Sequence, residues 1–184
     1  MRKNFGKQSW VLPQPVLIIA TYDKSGKANA MNAAWGGMYD DNTIGICLGA
    51  HRTTENIKSS KAFTVSFGDI RTIAASDYVG IVSADDEPDK MKKAGFTTVK
   101  SERVNAPVIE QFPVALECNL VKITEDGFVI GEIVNVSADE SFLGADGKID
   151  TDKLGLIVFD PVHAAYRKVG EKVGNAFSDG KKLL

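Results

Sequence analysis

The sequence predicts a mainly β domain, an antiparallel barrel with helical additions. Three observations predict it. Six or seven short apolar runs, rich in β-branched residues, are separated by turns built on Gly, Asp and Asn. The second half carries a long alternating pair, Val114 to Leu120 and Phe128 to Val136, around Glu125-Asp126-Gly127. The helical segments cluster between the two halves and do not alternate with strands, which disfavours a doubly wound parallel sheet.

Taken in order, residues 1–14 (M-R-K-N-F-G-K-Q-S-W-V-L-P-Q) read as an entry arm lying across the body through Phe5 and Trp10. Val16 to Thr21 is a continuous apolar run, hence a strand buried on both faces. Tyr22 to Lys27 is a turn with Gly26 where positive φ is needed, and a strand from Ala28 to Trp35 completes a hairpin. Gly36-Gly37 breaks that strand, Asp40-Asp41-Asn42 turns the chain, and Thr43 to Ala50 forms the next strand. A short helix from Thr54 to Ser60 precedes a strand carrying Phe63, Val65 and Phe67. Asp69 can cap a helix reaching Tyr78, with Ile70, Ile73, Ala74 and Asp77 at helical spacing. Asp85-Asp86-Glu87-Pro88 starts a further short helix that Gly95 ends, its acidic groups suited to the positive end of the helix dipole rather than to a metal. Past the long β pair, Ala145-Asp146-Gly147 is a turn and Asp150 or Thr151 opens a short polar helix. Leu156 to Phe159 is a brief strand before a tail with Tyr166, Gly170, Gly174 and Phe177. No repeat, low-complexity tract or linker divides the chain, so residues 1–184 are expected to form one domain.

Composition narrows the function classes. Lys and Arg total 22 against 24 Asp and Glu, a net charge of -2, which argues against gripping nucleic acid through a general field. The two cysteines, Cys47 and Cys118, lie far apart in apolar runs without a C-x-x-C, so buried free thiols are expected. With only His51 and His163, no metal-ligand spacing exists, and no metal site is expected. Pro13 and Pro15 interrupt the only apolar run near the N-terminus, and no run approaches membrane length. A cytoplasmic protein with neither membrane nor nucleic acid as partner is expected.

The chain is organised around Ala28 to Lys61. Two small-residue strands lead into His51-Arg52-Thr53-Thr54 and a helix start. Free N–H groups of a first turn, the positive dipole end and a guanidinium would meet at one place, which is a candidate anion site. The alternative is that Thr53 or Thr54 only caps the helix while Arg52 lies in solvent. G-I-C-L-G at Gly45 to Gly49 is no dinucleotide fingerprint, because the third glycine is missing and the helix starts too late.

Read together, several stretches resemble the flavin reductase-like family, most closely its flavoredoxin-type members. They are P-V-L-I-I-A-T-Y-D, G-K-A-N-A-M-N-A-A-W-G-G and I-G-I-C-L-G-A-H-R-T-T-E-N-I-K-S-S-K-A-F, then D-K-M-K-K-A-G-F-T, A-P-V-I-E-Q-F-P-V-A-L-E-C, G-E-I-V-N-V-S-A-D-E and Y-R-K-V-G-E-K-V-G-N-A-F. Each alone is weak; their ordered set, covering nearly the whole chain, is specific.

The resemblance implies an antiparallel split β-barrel of the FMN-binding type and a homodimer with FMN near the subunit interface. It places Asn32, Ala33, Ala34 and Trp35 along the flavin on one strand and Cys47, Leu48 and Gly49 on the next. It gives the phosphate to His51, Arg52, Thr53, Thr54 and Asn56, with Lys92 and Lys93 able to approach from a neighbouring helix. The physical reading agrees: Ala33, Ala34 and Gly49 leave room for a planar ring against a strand backbone, although tight strand–helix packing would use the same residues. The implied activity is an FMN-dependent oxidoreductase, either an NAD(P)H:flavin reductase taking NADH or NADPH or a flavoredoxin-like carrier serving a redox partner protein. Because the flavin carries the chemistry, no catalytic side chain is expected. The alternatives are a non-catalytic flavin-binding or sensor protein and, further off, the related split-barrel pyridoxamine-phosphate oxidase chemistry.

Overall fold

A computed structural model describes residues 1–184. The chain runs through β1 (Gln14–Pro15), β2 (Leu17–Tyr22), β3 (Ala28–Ala33), β4 (Gly36–Asp40), β5 (Thr43–Cys47), helix α1 (Arg52–Ser60) and β6 (Ala62–Phe67). Helices α2 (Ile73–Ile81) and α3 (Lys90–Lys93) follow, then β7 (Thr98–Lys100), β8 (Pro107–Ile109), β9 (Val114–Ile123) and β10 (Phe128–Ala138). Helix α4 (Thr151–Leu154), β11 (Ile157–Asp160) and β12 (Ala165–Lys168) complete it. No helix is long and apolar enough to cross a membrane.

Seven strands pair antiparallel in the order β3-β2-β6-β9-β10-β5-β4. Bulges at Ile130/Gly131 and Ile133/Asn135 of β10 and at Met38/Asp40 of β4 add twist and curl the sheet. The two edge strands, β3 and β4, are consecutive in sequence, so only Ala34 and Trp35 bridge the split between them. The edges approach closely there: a Cβ on Gly36 would lie 3.0 Å from both Leu17 Cδ1 and the Gly45 carbonyl. The result is a curled half-barrel left open along one seam.

Alternation along β2 fills both faces of the sheet. Leu17 and Ile19 join Ile46, Ile57, Phe63, Val65 and Val129 inside the curl. Ile18 and Ala20 join Val79, Phe96, Ile109 and Phe112 beneath the helices, as the continuous apolar run predicts. Gly131 sits at the β10 bulge because a Cβ there would collide with the buried Phe63 ring.

Several expected elements shift. Gly36-Gly37 does not break a strand; it opens β4, which pairs with β5 because side-chain-free backbone can pass close to Gly45. Helix α1 begins at Arg52, two residues earlier than expected. Asp69 caps no helix: its carboxylate accepts from the Arg71 and Thr72 N–H groups in a tight turn, and α2 starts only at Ile73. Ile70 and Ile73 are exposed, while Ser76 and Val79 form the buried face. The acidic segment 85–88 is loop, and α3 starts beyond it at Lys90. Phe5 packs edge-on against Trp10 at 5.4 Å and both remain exposed, so the entry arm is not pinned through them. Both thiols are free, Cys118 buried as expected and Cys47 only half-buried. The tail gains a strand the sequence did not signal, β12, paired with β11.

Candidate functional site

Local geometry at the end of β5 builds the helix start. Leu48 turns into the core, Gly49 adopts φ +62, and extended His51 precedes α1 without any side-chain cap. Arg52, Thr53 and Thr54 therefore form the first turn, and their N–H groups have no intrahelical acceptor and no other partner in the chain. The hydroxyls are used locally. Thr54 Oγ1 donates to the Gly49 carbonyl at 2.8 Å, and Thr53 Oγ1 accepts from Asn29 Nδ2 at 3.0 Å. Asn56 Nδ2 donates to Thr21 Oγ1 at 3.0 Å. These bonds fasten α1 across β2 and β3, so Thr53 and Asn56 have their side chains in the helix–sheet seam, and what they leave open is backbone.

In front of that helix start lies a cavity of about 250 Å³. Arg52, Lys27 and Lys90 supply its cations, Asp23 and Asp85 its anions, and Asn29 and Asn56 its amides. Arg52 donates through Nε to Asp85 Oδ1 at 2.7 Å and also through Nη2, with both side chains half-exposed. Asp85 thus stands where an anion would stand. Lys90 is only 4 % exposed and forms no ion pair, and burial pushes its pKa down to about 8. Asn29 Oδ1 is buried without a partner. Turning that amide over lets Thr53 donate to Oδ1 and aims Nδ2 into the cavity, at no cost in internal bonds. A buried lysine without an ion pair, near free N–H donors and an amide able to turn over, is what an anion site requires.

Sequence reasoning missed Lys90 and Asn29. It looked to Lys92 and Lys93; Lys93 is engaged by Glu87, and Lys92 lines a shallower neighbouring groove. The signal available was that Lys90 shares a helix face with Ala94 at i+4, a face turned inward.

The predicted ring-lining residues gather at the other end of β3. Asn32, Ala33 and Ala34 line a cleft of about 230 Å³ with Val16, Ile81, Phe159 and Tyr166. Asn32 Nδ2 donates to the Ser76 carbonyl at 3.1 Å and to Tyr166 Oη at 3.4 Å, and Tyr166 donates to Asp77 Oδ1 at 2.7 Å. Burial, reinforced by Asp77, pushes the Tyr166 phenol up to about 12, so it stays a neutral donor. Trp35 bridges the split 57 % exposed, its carbonyl accepting from the Cys47 N–H at 2.8 Å. Cys47 is thus tied to Trp35 next to the split, whereas Arg52 lines the separate cavity at the Asn29 end, which shares no residue with the cleft at Asn32. Asn29 and Asn32 are three residues apart on an edge strand, about 10 Å. An elongated molecule with an anionic end and a flat end matches the two ends of that edge.

A family model for the flavin reductase like domain matches residues 9–151. Among solved structures, flavoredoxin of Desulfovibrio vulgaris (Miyazaki F) superposes with a TM-score of 0.94 at 37% identity, covering 98% of this chain and 100% of that one. Flavoredoxin from Methanosarcina acetivorans superposes at 0.89 with 26% identity over 100% of both chains. A Shewanella frigidimarina protein with a split barrel domain superposes at 0.76 with 20% identity, over 91% of this chain and 87% of that one, a likeness of fold. The split-barrel expectation holds.

Proposed function

The chain belongs to the flavin reductase-like family, and from that premise we propose that it is an FMN-dependent oxidoreductase, an NAD(P)H:flavin reductase or a flavoredoxin-like electron carrier. One observation supports this most: the first-turn N–H groups of Arg52, Thr53 and Thr54 have no partner, and Arg52 lines a cavity with Lys90, which forms no ion pair, and Asn29, whose Oδ1 is unpaired, beside an open strand edge. The residues present fit the group. The N–H groups of Arg52, Thr53 and Thr54, the Arg52 guanidinium and the Lys90 ammonium would hold a phosphate. Asn29 would add its amide once turned over, and Thr54 holds the Gly49 loop in place. Asn32 to Trp35 and Cys47 to Gly49 would flank the ring, with backbone donors of the open seam for its polar edge.

Bound FMN would supply both one-electron and two-electron redox chemistry. The chain's own residues bind, orient and control access of water. Exposed Trp35, Met38 and Tyr39 beside edge strand β4 support a homodimer with the flavin near the interface, and leave a face for a redox partner protein. The half-exposed Arg52–Asp85 pair leaves the guanidinium able to exchange one anion for another.

An anaerobic absorbance titration of the FMN-loaded protein tests the reading, with NADH and then NADPH added while the flavin band is followed. Bleaching by either identifies a nicotinamide-dependent enzyme and its donor. A band that responds only to dithionite identifies a carrier or a non-catalytic binder. A protein that does not take up FMN sinks the proposal.

A further inference from the structure

The tail that follows β12 is folded on itself but packed on nothing. From Arg167 to Leu184 no residue is buried, and only Asp179 is half-buried. Val169 still donates its N–H to the Leu156 carbonyl, but from Gly170 to Gly174 no backbone N–H has a partner. Asn175 then opens a tight turn: its N–H donates to Asp179 Oδ2 at 2.8 Å, and its carbonyl accepts from the Asp179 N–H at 3.1 Å. Phe177 stands at the apex of that turn with φ +59, a conformation that a bulky residue adopts only where its surroundings impose it. Phe177 is 99 % exposed, and Val173, four residues before it, is 96 % exposed. An aromatic ring held out in this way by a built turn is shaped as an anchor for another surface.

Edge strand β4 offers that surface. It pairs with β5 on one side only, and Met38 and Tyr39 are exposed along it, the Tyr39 ring lying against Gly45 of β5. The strand runs into the exposed acids Asp40 and Asp41, with Glu132 of β10 exposed opposite Thr43. The tail carries the complementary sign. Lys172 precedes Val173, Lys181 and Lys182 lie beyond Phe177, and of the two acids among them, Glu171 and Asp179, the second is engaged by the turn. Nine residues separate Phe177 from the end of β12, a reach of up to about 30 Å. We infer that the tail of a second copy seats on β4, residues 170–174 along the open edge and Phe177 against Met38 and Tyr39, with the lysines facing Asp40 and Asp41. The contact is mutual: each copy presents one tail and one edge, so a two-fold pair satisfies both and closes. This rests on the homodimer reading and names the segment that makes the dimer; it uses none of the residues that would hold FMN.

The test puts a photoreactive side chain at the apex, Phe177→p-benzoylphenylalanine, in the full-length protein with and without FMN. Irradiation should give a covalent pair at twice the chain mass, and peptide mapping should join position 177 to segment 36–41 in both forms. Sedimentation equilibrium then weighs the anchor. Phe177→Asn keeps a residue that tolerates the left-handed turn and removes only the ring, and it should weaken self-association by about tenfold or more. Asp41→Lys should weaken it severalfold at low salt and less at high salt. A photoproduct confined to a single chain, a pair joined through another segment, or a Phe177→Asn variant that associates as the parent does overturns the seat. Where the parent is nonetheless a dimer, the homodimer reading survives that failure; a monomeric parent removes both. The expected link in a protein that takes up no FMN supports the seat and removes only the flavin reading.

Discussion

The two ends of β3 are built from the same small residues yet face opposite chemistry. At Asn29 the strand meets three cations and a helix start with free N–H groups. At Asn32, about 10 Å on, it meets aliphatic and aromatic walls and one carboxylate already engaged by Tyr166. The strand contributes its alternation, which turns residues three apart to opposite faces of the sheet. What also differs is the cover: α1 and α3 present their polar ends at one place, whereas α2 and the β11–β12 hairpin present apolar faces at the other. An open edge strand is a generic platform, and the elements packed over it decide which part of a ligand lies where.

The sharpest way to break that contrast is to remove the buried charge. Lys90→Met keeps length and packing but deletes the ammonium. FMN affinity should then fall by about ten- to a hundredfold, because a charge-assisted hydrogen bond is strongest where water is excluded. The pH dependence has a definite sign. Burial sets the free Lys90 pKa at about 8, and an anion binds the protonated form, so affinity should be greatest below pH 8 and decline as pH rises through it. Equilibrium titrations of FMN fluorescence across pH 6.5–9.5 would show the slope in the parent protein and its loss in Lys90→Met. The ligand-free variant should be at least as stable as the parent below pH 8, where the parent carries a buried unpaired cation. That advantage should shrink as pH rises from about 8 toward the ordinary lysine range, where the unfolded chain also loses its proton.

A smaller effect, about tenfold weaker binding, is expected for Arg52→Ala combined with Thr54→Ala, because Arg52 is half-exposed and Thr54 acts by holding the Gly49 carbonyl. Unchanged FMN affinity would mean the phosphate lies elsewhere. The opposite sign is expected for Asp85→Asn, which takes away the carboxylate now occupying Arg52. FMN binding should tighten by about two- to fivefold at low salt and lose that gain in high salt, since the pair is exposed and screened.

Much of this platform was legible in the sequence, and the illegible parts share a cause. The β2 run, the β9–β10 pair, the helix start at Asp150 and the polar helix start after β5 are local patterns, and each appears with its start within two residues of the expected place. Gly36-Gly37 misled because a glycine pair reads as a break, while here it lets one strand pass against the backbone of Gly45. Lys90 is one of three lysines in K-M-K-K, and only the docking of α3 on β3 decides which is buried. Asp85 reads locally as a helix-start acid because its partner, Arg52, lies 33 residues away. β12 exists because β11 offers it an edge, not through any alternation of its own.

The mildest perturbation tests whether the two ends are independent. Gly80 lies near the end of α2, and a Cβ there would come 3.0 Å from Asn32 Cβ. Its φ is not in the left-handed region, so alanine meets no backbone strain and gains helix propensity of up to about 1 kcal/mol. Against that, Asn32 must move by a few tenths of an ångström, and its 3.4 Å bond to Tyr166 has no slack to lose. The two effects should nearly cancel in stability, leaving the melting temperature of Gly80→Ala within about 4 °C of the parent. The displacement should register at the Asn32 end as a modest change in ring binding, leaving the slope of FMN affinity with pH unaltered, because that slope belongs to Lys90. If Gly80→Ala flattened the slope as Lys90→Met should, the edge of β3 would be one coupled site rather than two ends with separate chemistry.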